Sequence, residues 1–418
     1  MMRNDGIPDS SANLSDNTAT PNFNKETAPE TVAITSTLVA PSGGAVGAIS
    51  GGSGVTSFSN GAAAATLSYS EVGIITLNAS LTSGSYLSSG VNVTGVTGNV
   101  GRFTPDHFAF SSATLTNRSD TSISCADTFT YMDEPFRLDY TITAQNAANG
   151  TTQNYTGTFA KLTPTSIAAM GYGAISGTTN LTSRLAGSGT ATGSFSNGVA
   201  TVAAPLTISR AAAPDGPFAN LNVGIAPSDT DGIQLSTSAL NMDVDNNATN
   251  DHARIGITAA RFGRLLLANA YGSELLDLPL RMSPQFWNGT GFANMGATDT
   301  CTVFNTSDIA LSFPVFSANH LTACETTVSL TGGLPINFKL TKPGSGNDGW
   351  ATVQVNLGPT APGNNTCTST TATPATAANK SYLRGNWGTS TFNQDPTALA
   401  RFGSYRSGSG FIYFRENY

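Results

Sequence analysis

The sequence predicts an all-β protein built of tandem β-sandwich modules, immunoglobulin-like in type, with long loops and little helix. Three observations predict it. Apolar residues alternate with polar ones at period two, as in FRLDYTITAQNA (136–147), where Phe136, Leu138, Tyr140 and Ile142 share one side. Such runs are bounded by Gly, Ser, Asn and Pro clusters, whose backbone preferences favour turns. Sustained helical periodicity is missing; the sequence promises at most one turn near Thr397–Arg401, after Asp395-Pro396.

The elements follow in order. Residues 1–28 are polar and read as a disordered leader or linker. Residues 29–100 hold TVAITSTLVAP and AATLSYSEVGIITLNASL, short strands around Glu71 and Gly73 that suit a small immunoglobulin-like sandwich. Residues 101–253 form a first larger sandwich, with strands in NYTGTFAKL and GVATVAAPLTISRA. GYGAISG (171–177) and GSGTATG (187–193) read as turns there, since neither has the spacing or the strand–helix context of a phosphate loop. Residues 254–418 form a second. Within it, GRLLLANAY is read as one strand and LLDLPLRMSPQFWN as the next, with Leu265, Leu267, Tyr271, Leu276, Leu278, Phe286 and Trp287 as core. The closing GFIYFRENY reads as an aromatic strand paired within a sheet.

Composition narrows the function. Hydrophobic residues make up 39% of the 418 positions, enough for real cores. Charged residues are only 11%, well under the usual share of about a quarter. Ser, Thr, Asn and Gly take their place, as on exported β-proteins. The net charge of −7, with scattered cations, argues against nucleic acid, which needs clustered Lys and Arg to displace counterions. No 18-residue apolar run offers a transmembrane segment. The first residues lack the pattern of a signal peptide, so the chain is expected to be the C-terminal piece of a longer exported protein.

Cys125, Cys301, Cys324 and Cys367 are too far apart for a metal knuckle and suit two disulfides; the alternative is four free thiols. Of the three pairings, the short intervening loop favours Cys301–Cys324, which leaves Cys125–Cys367. No catalytic residues are expected: the histidines are only His107, His252 and His320, and no nucleophile motif occurs. Asp106 and His107 are neighbours, but adjacent strand residues point to opposite faces. DVDNNATND (243–251) spaces oxygen-bearing side chains at Asp243, Asp245, Asn247, Thr249 and Asp251, a pattern that could wrap a calcium ion. Ala248 and Arg254 break the EF-hand pattern, and the other reading is a solvated acidic turn. A ligand site is expected on loops at one sandwich end, with the acidic loop and Trp387 as candidates; the other reading of Trp387 is core.

GRFTPDHF (101–108), residues 125–162, RFGRLLLANAYGSELLDLPLRMSPQFWNG (261–289) and FGSYRSGSGFIYFRENY (402–418) together resemble the C-terminal region of MshQ-type proteins of MSHA (mannose-sensitive haemagglutinin) type IV pilus biogenesis clusters. The resemblance covers about 101–418. It implies an exported, non-enzymatic protein of a Gram-negative bacterium, at the cell surface, on the pilus, or in the outer membrane or periplasm. Its partners would be pilus components or a host or environmental surface. Two roles compete, adhesion and pilus assembly without an external ligand; a secreted sandwich hydrolase is a distant third.

Overall fold

The computed structural model of the protein describes residues 18–120, 125–331 and 337–403. Residues 1–17 of the expected leader, and the closing GFIYFRENY, lie outside the described residues. The architecture is all-β, with many short sheets and, among the described residues, one single-turn α-helix, Ile167–Met170, in keeping with the composition and period-two patterning.

Residues 32–103 form one four-stranded sheet from β1 (Val32–Ala40), β2 (Gly73–Leu81), β3 (Thr94–Val96) and β4 (Val100–Phe103), in which β2 pairs with the other three. In place of the expected second sheet, the intervening chain carries a two-residue ladder, Ile49–Ser50 against Ser68–Tyr69. The register explains the one-sided character. Ile34 faces Ala79 and Leu38 faces Ile75 on one side, while Thr35 faces Asn78 and Thr37 faces Thr76 on the other. The described part of the expected leader packs on this unit: Phe23 is buried, edge-on to Phe58 with ring centroids 4.8 Å apart.

The first large sandwich is built from β5 (His107–Thr116), β6 (Phe129–Tyr131), β7 (Phe136–Gln145), β8 (Tyr172–Ser176), β9 (Thr179–Asn180), β10 (Leu185–Gly187), β11 (Val199–Ile208), β12 (Phe218–Ile225) and β13 (Ala253–Arg261). One sheet has the order β9-β8-β12-β13-β6 and the other β10-β11-β7-β5. The alternation read in 136–147 holds: Phe136, Leu138, Tyr140 and Ile142 are all buried, facing Leu206, Ala204, Val202 and Ala200 of β11 in register. Two expectations fail. GYGAISG is no turn; Tyr172–Ser176 is a strand paired with β12, its Ala174 wholly buried. The boundary is not at 253/254, because β13 bonds to β12 and β6 and so belongs to this sandwich as far as Arg261.

The second large sandwich comprises β14 (Gly263–Leu267), β15 (Ala270–Gly272), β16 (Leu278–Trp287), β17 (Phe292–Asn294), β18 (Ile309–Ser312), β19 (Val328–Thr331), β20 (Asn337–Leu340), β21 (Gly349–Val355) and β22 (Thr397–Phe402). Its sheets run β14-β16-β20-β19, with β17 on β16, and β15-β22-β21-β18. GRLLLANAY is therefore two strands in two sheets: β14 pairs with β16, and β15 crosses to pair parallel with β22. The crossing changes which residues face inward. Leu265, Leu267 and Leu278 are buried and Phe286 and Trp287 half-buried, but Tyr271 and Leu276 are exposed, against expectation. Tyr271 lies on the outer side of its strand and Leu276 in the following turn. Thr397–Arg401, expected as a turn at most, is strand β22, with Ala398, Ala400 and Phe402 turned inward.

Candidate functional site

The two large sandwiches are locked at a seam. Cys125 is bonded to Cys301 and Cys324 to Cys367, with Cα separations of 5.7 and 5.2 Å. This overturns the expected Cys301–Cys324 and Cys125–Cys367 pairs. A helical turn at Thr306–Asp308, with a capping box from Asn305, and then strand β18 intervene after Cys301 and carry the chain away. Cys324 ends up beside the start of β19, where the Val328 N–H donates to the Cys367 carbonyl at 2.9 Å. Pairing follows which backbones the sheets lay together, and sequence distance does not record that.

Around the Cys125–Cys301 bond lies a buried charge network. The Arg118 guanidinium donates to Asp127 (2.7 Å), Glu134 (2.9 Å), Asp299 (2.6 Å) and the Thr302 hydroxyl (2.8 Å). The Tyr131 hydroxyl donates to the second Asp299 oxygen at 2.8 Å. Burial alone would lower the Arg118 pKa, but Glu134 and Asp299 hold it above its ordinary value. Burial would likewise raise Asp299; Arg118 and the Thr302 and Tyr131 hydroxyls outweigh that and lower it. Glu134 fares differently: burial outweighs the pull of Arg118 and raises it to about 7. One guanidinium cannot neutralise three carboxylates in a dry site. On the other side of the seam, Arg210 stacks on Phe262, 3.9 Å from the ring centroid, and donates to the carbonyls of Gly263 (2.9 Å) and Arg384 (3.2 Å). Nothing in the sequence flagged Arg118, Asp299 or Arg210, isolated charges in polar loops; only the adjacency of Asp299 to Cys301 hinted at a shared site.

The acidic loop is folded on itself. Asp243 accepts from the N–H groups of Asn247 (3.2 Å) and Ala248 (2.8 Å), Asp245 from the N–H and side-chain amide of Asn247, and Asp251 from the Val244 N–H and His252. The Asn247 side-chain oxygen accepts from the Thr249 N–H at 2.8 Å. Asn246 and Ala248 adopt positive φ of 60° and 69°. Among the described residues, the one cluster of three ligand-type side chains is Cys125, Asp127 and Cys301, whose sulfurs are spent in the disulfide. Asp106 and His107 do meet, at 2.9 Å, because Asp106 precedes strand β5; the other ring nitrogen is held by Gln145 at 3.1 Å. Trp387 is half-buried, with the Arg264 guanidinium 4.8 Å from its ring centroid, so part of its face is already occupied.

The open surface lies at one end of the β15-β22-β21-β18 sheet. Tyr271, Arg401 and Trp350 are cross-strand neighbours on its outer side. Phe316 stacks on Trp350, with centroids 5.9 Å apart and planes at 22°. The loops of this end are tied together: Gly403 N–H to Gly272 O (2.9 Å), Gly344 N–H to Glu274 O (3.0 Å), His320 N–H to Asp348 O (2.9 Å) and Trp350 N–H to the Asn319 side chain (2.8 Å). They hold up large apolar side chains in solvent: Leu275 and Leu276 at 53% and 67% exposure, Val315 and Phe316 at 97% and 63%. Neither the acidic loop nor Trp387, the expected ligand candidates, is among these groups. Tyr271 and Leu276 had been assigned to the core.

Three family models match in consecutive order: the second domain of DUF6701 at residues 3–68, the third at 71–255 and the fourth at 261–417. The third-domain match takes in β2–β4 of the N-terminal sheet as well as most of the first large sandwich, the fourth-domain match covers the second large sandwich, and the seam falls between them. No curated protein matches the chain.

Proposed function

We propose, for a chain that carries the second, third and fourth domains of the DUF6701 family, the role of an exported, non-enzymatic component of an MSHA-type IV pilus system, acting in surface adhesion. The observation that carries this reading is the end of the fourth domain, where Tyr271 and Trp350 on strands and Leu276, Val315 and Phe316 on loops stand at one end of a cross-linked pair of sandwiches. Several exposed apolar side chains of this size at one end of a domain are a mark of a binding surface. Two disulfides and the low charge support export, since such bonds persist in oxidising compartments. The four MshQ-like blocks support the pilus system. The second reading, an assembly factor of the periplasm or outer membrane, rests on the same blocks.

Deletion of the gene separates the two. Pili are counted on the cell surface by electron microscopy while attachment is scored. Normal pili with lost attachment support adhesion, and missing pili support assembly. If both stay unchanged, the pilus reading falls.

A further inference from the structure

The exposed end of the fourth domain combines three kinds of side chain. Two pairs of consecutive apolar residues, Leu275-Leu276 and Val315-Phe316, stand in solvent. On the strands, Tyr271 and Trp350 are both cross-strand neighbours of Arg401. Cations come with them: Lys342 and Arg401 are exposed and form no salt bridge with a described residue. Two acids of this end are engaged and a third is buried. Asp277 accepts from the Lys339 ammonium (2.8 Å) and the Lys342 N–H (3.0 Å), Asp348 pairs with His320 (2.9 Å), and Glu274 is buried.

That combination is the one a water–lipid boundary takes up: aliphatic and phenyl groups in the acyl region, Tyr and Trp at headgroup level, Lys and Arg at the phosphates. A saccharide platform fits less well. Leu275, Leu276 and Val315 offer sugars neither a flat face nor a hydrogen bond, and Phe316 and Trp350 spend one face on each other.

We infer that this end is a membrane-binding tip, which seats Leu275, Leu276, Val315 and Phe316 in the headgroup–acyl boundary of an anionic lipid surface, with Lys342 and Arg401 on the phosphates. The inference does not depend on the pilus reading, because it is a property of the purified chain.

The test is flotation of the full 418-residue chain, disulfides intact, with vesicles of phosphatidylethanolamine and phosphatidylglycerol, and with vesicles of phosphatidylcholine alone. Preferential flotation with the anionic vesicles is expected, weakened by salt. The double variant Leu276→Glu, Phe316→Glu should lose roughly a hundredfold in partition, since two large side chains no longer leave water. Both positions are solvent-exposed, so its thermal unfolding should match the parent chain. Brominated acyl chains should quench tryptophan fluorescence, and Trp350→Phe should abolish that quenching. No flotation, or equal flotation of the double variant, overturns the inference. So does a concentration-dependent dimer in vesicle-free solution that the double variant dissolves while flotation stays intact, because the face would then join two copies of the chain.

Discussion

Arg118 donates to Asp299 at 2.6 Å across the seam, 181 residues apart in sequence, and neither side chain is reached by solvent to more than 1%. The third and fourth domains are therefore joined by a buried ion network as well as by a disulfide. Removing one partner of such a network leaves its counter-charges desolvated. Arg118→Met should cost about 3 to 5 kcal/mol in urea unfolding with disulfides intact. Arg118→Lys should recover little, because one ammonium cannot serve Asp127, Glu134, Asp299 and Thr302 in the guanidinium's fork geometry. A loss under 1 kcal/mol would mean that the disulfide alone holds the seam.

Glu134 makes the seam sensitive to pH. Burial raises it from 4.5 to about 7, against the opposing pull of Arg118, while Asp120 adds to the rise. A carboxyl whose folded pKa lies above its unfolded value binds its proton more tightly when folded. Its contribution is therefore full below pH 4.5 and is lost as pH rises through about 7. The penalty at high pH is at most roughly 3 kcal/mol. Glu134→Gln should flatten the fall in melting temperature between about pH 5 and pH 8. A slope as steep as that of the parent protein would assign the effect to another group.

The disulfide pattern is directly checkable. Non-reducing peptide mapping should yield Cys125–Cys301 and Cys324–Cys367 peptides, and neither of the other pairings. The chain-entropy model assigns about 5 kcal/mol to the first, which closes a 176-residue separation, and about 4 kcal/mol to the second. Cys125→Ser with Cys301→Ser should therefore lower unfolding stability more than the Cys324, Cys367 double variant.

The loop at 243–251 gives a metal test. Its carboxylates already hold the amides of Val244, Asn247 and Ala248, so an ion would have to displace those bonds. Calcium in excess of chelator is expected to leave the melting temperature unchanged. A rise that grows with the logarithm of calcium concentration would show the loop opening onto an ion. Asp243→Ala should cost about 1 to 2 kcal/mol by releasing two backbone donors.

The β-class was legible because side-chain alternation is a local property: Phe136, Leu138, Tyr140 and Ile142 could be placed inward from sequence alone. What depends on which strands become neighbours was not legible. The crossing from β14 to β15 turned Tyr271 outward, and β22 acquired strand form through β21, although an Asp-Pro step precedes it. Cysteine pairing failed for the same reason, since Cys301 meets Cys125 at a seam that no local pattern describes. At the tip, no local pattern marks Val315 and Phe316; their exposure is a consequence of where β18 stops.

The Cys125–Cys301 bond also has a mechanical meaning. Any tension carried along the chain passes through the sulfurs and skips the segment they bracket, a sequence separation of 176 that includes every strand from β6 to β17. Fully paid out, that segment would measure roughly 600 Å. While the bond is intact this length stays locked, so a pull on the tip reaches the second domain with little slack, and reduction converts a stiff tether into an extensible one.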